Sequence, residues 1–184
     1  MNILVTLNSN YLKPLRVMLK SLFLNNREEK FSIYLMHSAL TTEELGELNS
    51  YIDNHDSRLT AINIEDDYFA DAPVLFHYTK EMYYRLLAHK FLPEDLDRIL
   101  YLDPDILIIN PIKELYYMDI EEYLYAAAYH DIISVKEINK LRLKPYDIDA
   151  YYNSGVLLMN LKLHRQLIDE KGIFEFVEKN HYKL

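Results

Sequence analysis

The chain has 184 residues, three glycines, no cysteine and no tryptophan, and its 29 acidic and 20 basic side chains give a formal net charge of -9. Half of the residues are hydrophobic, which excludes a disordered chain, and the lack of cysteine excludes disulfide staples, thiol catalysis and thiolate-held metal. Neither a GxGxxG turn nor a GxxxxGK[ST] loop occurs, so the Gly-rich phosphate cradles are excluded. The acidic balance argues against a general nucleic-acid binder.

In chain order, the apolar run Asn2–Leu7 predicts a buried strand ending in the polar loop Asn8-Ser9-Asn10. From Tyr11 to Leu24 the period changes, and Leu15, Met18, Leu19, Leu22 and Phe23 fall on one helical face, with Pro14 tolerable only near the first turn. Phe31–Met36 is a second strand. Thr41-x-x-Glu44 opens a helix with a capping-box pattern and a Leu45, Leu48, Ile52 stripe, and Leu59–Ile64 is a third strand. The β-α-β-α-β order predicts a mostly parallel sheet flanked by helices. After an irregular acidic stretch, Thr79 caps an expected helix running to about His89, with Met82, Tyr83, Leu86 and Leu87 inward. Arg98–Leu102 is a strand, Ile106–Ile109 a second apolar run, and Pro111 starts a helical turn. Tyr123–Tyr129 and Asn153–Leu161 read as strands. Asp131–Ala150 has no clean period, and the tail from Lys162 reads as helix, with Ile173, Phe174, Phe176 and Val177 partly inward. The organisation is one α/β unit. No run of about 18 apolar residues occurs, and the N-terminus lacks the basic region of a signal peptide.

The feature richest in chemistry is Asp103-Pro104-Asp105, set between the apolar runs 99–102 and 106–109. In extended backbone, residues two apart point the same way, so two carboxylates converge at the end of a buried strand. Open α/β sheets bind ligands at those ends. Hard oxygen ligands there suit Mg²⁺ or Mn²⁺, which also takes phosphate. The pattern alone is weak: composition predicts about one Asp-x-Asp by chance, and Asp95/Asp97 and Asp147/Asp149 also fit it. The apolar flanks single out Asp103 and Asp105, leaving a metal site or a strand-end turn. The paired tyrosines 83/84, 116/117 and 151/152 read first as packing at a core rim. The seven histidines show no metal-ligand spacing.

Tyr101-Leu102-Asp103-Pro104-Asp105-Ile106-Leu107 resembles the Asp-x-Asp segment of family 8 glycosyltransferases. These are retaining enzymes of GT-A fold, among them lipooligosaccharide galactosyltransferases, general-stress-type proteins and glycogenin. Three further segments match in order: Val5–Tyr11, Met82–Leu86 and Tyr152–Leu161. The resemblance implies an α/β GT-A (nucleotide-diphospho-sugar transferase) fold. It also implies transfer of glucose or galactose from a UDP-sugar to a hydroxyl of a glycan, glycolipid or glycoprotein.

Thr6, Asn8 and Tyr11 would hold uridine. Asn8 stands where the family often has Asp. Asp103 and Asp105 would ligate Mn²⁺ (or Mg²⁺), Arg85 would bond the donor, and Asp131, Asn153 and Ser154 would contact donor sugar. Taken alone, Arg85 reads as a surface helix residue, and Asn8, Asp131 and Asn153 as caps or turn residues. No catalytic nucleophile is named.

Family members continue into an Asp-Gln-Asp segment and an HxxGxxKPW-like segment, and neither occurs here. Residues 1–184 are therefore expected to be a single GT-A catalytic domain lacking its C-terminal part. The expected setting is the cytoplasm, with peripheral contact at the inner membrane face. The alternatives are an inactive UDP-sugar-binding remnant and an aspartate-dependent phosphohydrolase. The latter is disfavoured by Leu107, two residues after the second Asp.

Overall fold

The computed structural model describes residues 1–65, 68, 80–129 and 150–180. Its centre is a six-stranded sheet in the order β3-β2-β1-β4-β6-β5. The strands are β1 (Asn2–Thr6), β2 (Ser32–His37), β3 (Arg58–Asn63), β4 (Arg98–Leu102), β5 (Tyr125–Tyr129) and β6 (Tyr152–Asn160). The first four run parallel, with Ile3 opposite Ile33 and Leu100. β6 runs against both β4 and β5.

The expected mixed α/β architecture is therefore present. The antiparallel β6 brings its first residues to the carboxyl end of β4, pairing Leu102 with Val156.

Alternation along β1 sends Ile3 and Val5 to one face and Leu4 and Thr6 to the other, and all four are buried. This is the pattern of a parallel strand covered on both sides. On one face lie α1 (Leu12–Asn25) and α2 (Thr42–Asp53), whose Leu15, Met18, Leu19, Leu22, Leu48 and Ile52 pack on Ile3, Val5, Ile33 and Leu100. Leu45 packs against this cluster only partly buried.

A 3-10 turn at Ser9–Tyr11 leads into α1, and Pro14 falls in the helix's first turn, where its missing N–H costs nothing. Thr41 and Glu44 form the reciprocal capping box. On the opposite face, α3 (Glu81–Tyr84), α4 (Ala88–Phe91), α6 (Leu161–Leu167) and α7 (Glu170–Lys179) pack on Leu4, Met36, Ile99, Tyr101 and Met159. The short α5 (Lys113–Tyr116) follows Pro111.

Three expectations are corrected. The helix to His89 is interrupted by a 3-10 turn at Arg85–Leu87, and it buries Glu81, Tyr84 and Arg85, whereas Met82 and Leu86 are only half-buried. Its ligand-facing side, not apolar periodicity, decides which residues turn inward. Its expected cap, Thr79, lies outside the described residues, as do 131–149.

Ile106–Ile109 is not a second buried run, because Leu107 is 63% and Ile109 70% exposed. Ile108 is buried, but its N–H donates to Ser21 Oγ at 3.0 Å and its C=O accepts from Asn25 Nδ2 at 2.8 Å. Side chains of α1 thus do the work of a strand neighbour. In α7, Phe176 is exposed because it sits about 100° round the helix from the stripe of Ile173, Phe174 and Val177. Among the described residues no helix is long and apolar enough to cross a membrane.

His164 of α6 is fully buried, and its Nε2 lies 3.1 Å from the carbonyl of Leu124, so Nε2 carries the proton. Burial pushes its pKa down to about 4 against the usual 6.5, partly offset by that backbone bond. A base with a depressed folded-state pKa binds its proton more readily when unfolded. Its stabilising contribution is therefore complete above pH 6.5 and lost as the pH falls towards 4. Urea unfolding is expected to show about 3 kcal/mol less stability from this site at pH 4 than at pH 7. His164→Gln, which keeps a donor for Leu124 but cannot titrate, should flatten that part of the profile.

Candidate active site

The carboxyl ends of β1 and β4 border an open cavity of about 240 Å³. Thr6, Tyr11, Arg85, Asp103 and Asp105 line it together with Glu81, Met82 and Tyr101. Five of the nine residues expected at the site are thus brought together.

Asn8 stands beside the cavity rather than on its lining. Its Oδ1 accepts from the Asn10 N–H at 3.0 Å, capping the 3-10 turn, and its Nδ2 donates to Glu81 Oε2 at 3.4 Å. Asn153 Oδ1 accepts from the Gly155 N–H at 2.8 Å, and Ser154 takes part through its carbonyl, which accepts from Arg85 Nη1 at 2.9 Å. Asp131 lies outside the described residues.

Asp103 is held from three directions. Its main-chain N–H donates to Gly155 O at 2.8 Å, extending the β4–β6 ladder by one residue. Its Oδ1 accepts from Arg85 Nη1 at 3.0 Å and from the Tyr101 hydroxyl. Its Oδ2 faces Gly155: a Cβ there would stand 2.7 Å from it.

Arg85 is buried, its Nε donates to Met82 O at 3.0 Å, and its guanidinium carbon lies 4.8 Å from the Tyr101 ring centroid. The surface reading of Arg85 therefore fails. A buried guanidinium needs carboxylate, carbonyl and aromatic partners, and it has all three. Burial, followed by the opposing pull of Arg85, sets the Tyr101 phenol, with the net result upward. Tyr101 therefore stays protonated and donates to Asp103.

The extended-backbone argument for Asp103 and Asp105 needs correction in form. β4 ends at Leu102, and Pro104-Asp105 sits in a turn. Proline's fixed φ turns the chain there, and both carboxylates still reach one cavity.

Among the described residues no group of three or more His, Asp or Glu could hold a metal by itself. The donor set nevertheless fits a hard divalent cation of the Mg²⁺ or Mn²⁺ kind. Two carboxylates are the usual protein share for such an ion, with the rest supplied by water and phosphate. Oδ1 of Asp103 is anchored while Oδ2 lies in space that only a glycine at 155 leaves clear. Three carboxylates against one guanidinium also line the cavity, so a diphosphate needs an accompanying cation to enter.

Two lining residues, Glu81 and Tyr101, are missed by the sequence reading. Each had a periodic signal. Glu81 precedes Arg85 by four residues on a helix, and Tyr101 precedes Asp103 by two along a strand.

Residues 2–182 match the family described as Glycosyl transferase family 8. A lipopolysaccharide 1,2-glucosyltransferase of Escherichia coli K12 is 28% identical over 163 residues, covering 88% of this chain and 48% of its own length. General stress protein A of Bacillus subtilis 168 is 24% identical over 182 residues, covering 98% of this chain and 63% of its own. Among solved structures, a galactosyltransferase LgtC in complex with donor and acceptor sugar analogues superposes with a TM-score of 0.89 at 24% identity, over all of this chain and 66% of that one. GlyE of Streptococcus pneumoniae TIGR4 gives 0.72 at 20% identity, over all of this chain and 39% of its own. The chain spans about half to two thirds of the length of these curated relatives.

Gly155→Ala is expected to push Asp103 Oδ2 aside and weaken Mn²⁺ binding at least tenfold, read by electron paramagnetic resonance of free Mn²⁺. Gly46→Ala is the control. Nothing lies within 4 Å of the added methyl in the middle of α2, so it should leave Mn²⁺ binding unchanged and raise stability by about 1 kcal/mol.

Proposed function

Because the chain belongs to glycosyl transferase family 8, we propose that it is the donor-binding part of a metal-dependent enzyme that moves glucose or galactose from UDP to a glycan hydroxyl. The observation that carries this reading is the clamped Asp103 beside Asp105 in one cavity with Arg85. The names of the relatives, lipopolysaccharide glucosyltransferases and a lipopolysaccharide galactosyltransferase, favour a cell-surface glycan as acceptor. Family membership also sets aside the phosphohydrolase reading of Asp103-Pro104-Asp105.

Asp103 and Asp105 hold the cation, and the Tyr101 and Arg85 hydrogen bonds fix the Asp103 carboxylate before any ligand arrives. A bound Mn²⁺ or Mg²⁺ supplies neutralisation of the charge that builds on the diphosphate as the sugar departs. Arg85 adds a fixed positive charge at the same end. Its hydrogen bonds to Met82 O, Asp103 and Ser154 O keep it from reorienting during the reaction, which is how preorganised electrostatic stabilisation works. Thr6 and Tyr11, at the end of β1, meet the nucleoside, with Asn8 fixing the turn between them. Asn153 and Ser154, at the start of β6, and Asp131 stand for the sugar.

Calorimetry of UDP with Mn²⁺ tests this. Asp103→Ala with Asp105→Ala should abolish metal-dependent UDP binding, and undiminished binding in that double variant would sink the proposal. Asp103→Ala also strips a buried guanidinium of its partner, at a cost of about 3–5 kcal/mol in stability. Asp105→Ala alone, at an exposed position, is the companion variant that keeps the fold. It should lower affinity at least tenfold in Mn²⁺ while leaving the unfolding midpoint unchanged.

A further inference from the structure

Glu81 is a charge that the proposed reaction leaves unused. It is only 6% exposed, and burying a carboxylate is costly unless hydrogen bonds hold it. Ser38 Oγ donates to its Oε1 at 2.7 Å, and Asn8 Nδ2 donates to its Oε2 at 3.4 Å. Those donors follow β2 and β1, so the carboxylate is pinned across two strand ends. A carboxylate offers about four acceptor sites, and these two bonds orient it without filling it. It lines the cavity with Thr6 and Tyr11.

The order of the sheet places it along the ligand. β2, β1, β4 and β6 are successive neighbours. Arg85, four residues on, is bonded to Asp103 after β4 and to Ser154 of β6. Glu81 thus sits over β2 and β1 while Arg85 sits over β4 and β6. A nucleotide whose diphosphate lies at Asp103 and Asp105 reaches Glu81 with its nucleoside.

Asn8 is not the group that meets the base. Its Oδ1 is turned to the Asn10 N–H, its Nδ2 to Glu81, and it is not part of the cavity lining. A backbone N–H accepts no alternative orientation of that amide, and a carboxylate on the other side demands the same one.

We propose that Glu81 is the residue that selects the base: its carboxylate accepts the imide N–H of uracil and rejects cytosine, whose ring nitrogen at that place carries a lone pair. This rests on the UDP-sugar reading and deepens it. Ser38 and Asn8 are positioning residues that act through Glu81. An acceptor-only group facing a second acceptor leaves both desolvated and unpaired, which is the strong form of polar discrimination.

The test is titration of UDP and CDP, each with Mn²⁺, into the wild-type chain and Glu81→Gln, with thermal unfolding as the check on the fold. Wild type should prefer UDP by at least about tenfold, the discrimination expected from a hydrogen bond to a charged group. In Glu81→Gln the ratio should collapse towards one, with CDP binding gained, because an amide can turn its NH₂ to the cytosine nitrogen. Equal loss of both nucleotides, or an unchanged ratio, overturns the assignment and reduces Glu81 to a clamp on the strand ends. If the variant does not fold, UDP methylated at the imide nitrogen makes the same test on the wild type: it should bind at least tenfold more weakly than UDP, and equal binding overturns the proposal. Wild type that binds neither UDP nor CDP overturns the nucleotide reading itself.

Discussion

Asp103 is the point at which the separate layers of this protein are tied together. Its backbone belongs to the β4–β6 ladder through Gly155, and its carboxylate joins Arg85 from one helical layer and Tyr101 from its own strand. The Arg85–Asp103 pair is mostly shielded from water, with 10% and 30% of the two side chains exposed. A pair in that setting is worth little more than a hydrophobic substitute when intact, yet costly when one partner goes. Its value here is positional. It holds one carboxylate oxygen and presents the other.

That arrangement depends on the antiparallel turn of β6. In an all-parallel sheet the strand beside β4 would bring its own carboxyl end to the site, with the loop that follows it. Here the beginning of β6 arrives instead, and with it Asn153, the Ser154 carbonyl and the one glycine whose missing side chain makes room for Asp103 Oδ2. The conformational permissiveness of glycine plays no part; what Gly155 contributes is space.

The same edge of the sheet carries a gradient of chemistry. Over β2 and β1 stands a buried carboxylate held by neutral donors. Over β4 and β6 stand a guanidinium and the two aspartates. An elongated ligand with a neutral, hydrogen-bonding end and a charged end matches that order, and a nucleoside diphosphate has such ends. The excess of acid over base in the cavity gives the overall charge of the chain a local meaning at this site, although most acidic residues are solvated surface.

Sequence periodicity by itself determined the strands, α1, α2 and the capping box at Thr41, because each is a local pattern of burial or a local hydrogen bond. It also picked out Asp103 and Asp105, since charge between apolar runs is visible without coordinates. Only the tertiary structure decided that Arg85 is buried, that Glu81 and Tyr101 belong to the site, that Ile106–Ile109 is half-exposed, and that Asn8 turns away from the cavity. Those outcomes follow from partners far away in sequence: Ser154 for Arg85, Ser38 for Glu81, Ser21 and Asn25 for Ile108. A helix or strand period reports which face is apolar. It carries no information about which distant polar group will satisfy a buried charge, and in this protein that pairing builds the site.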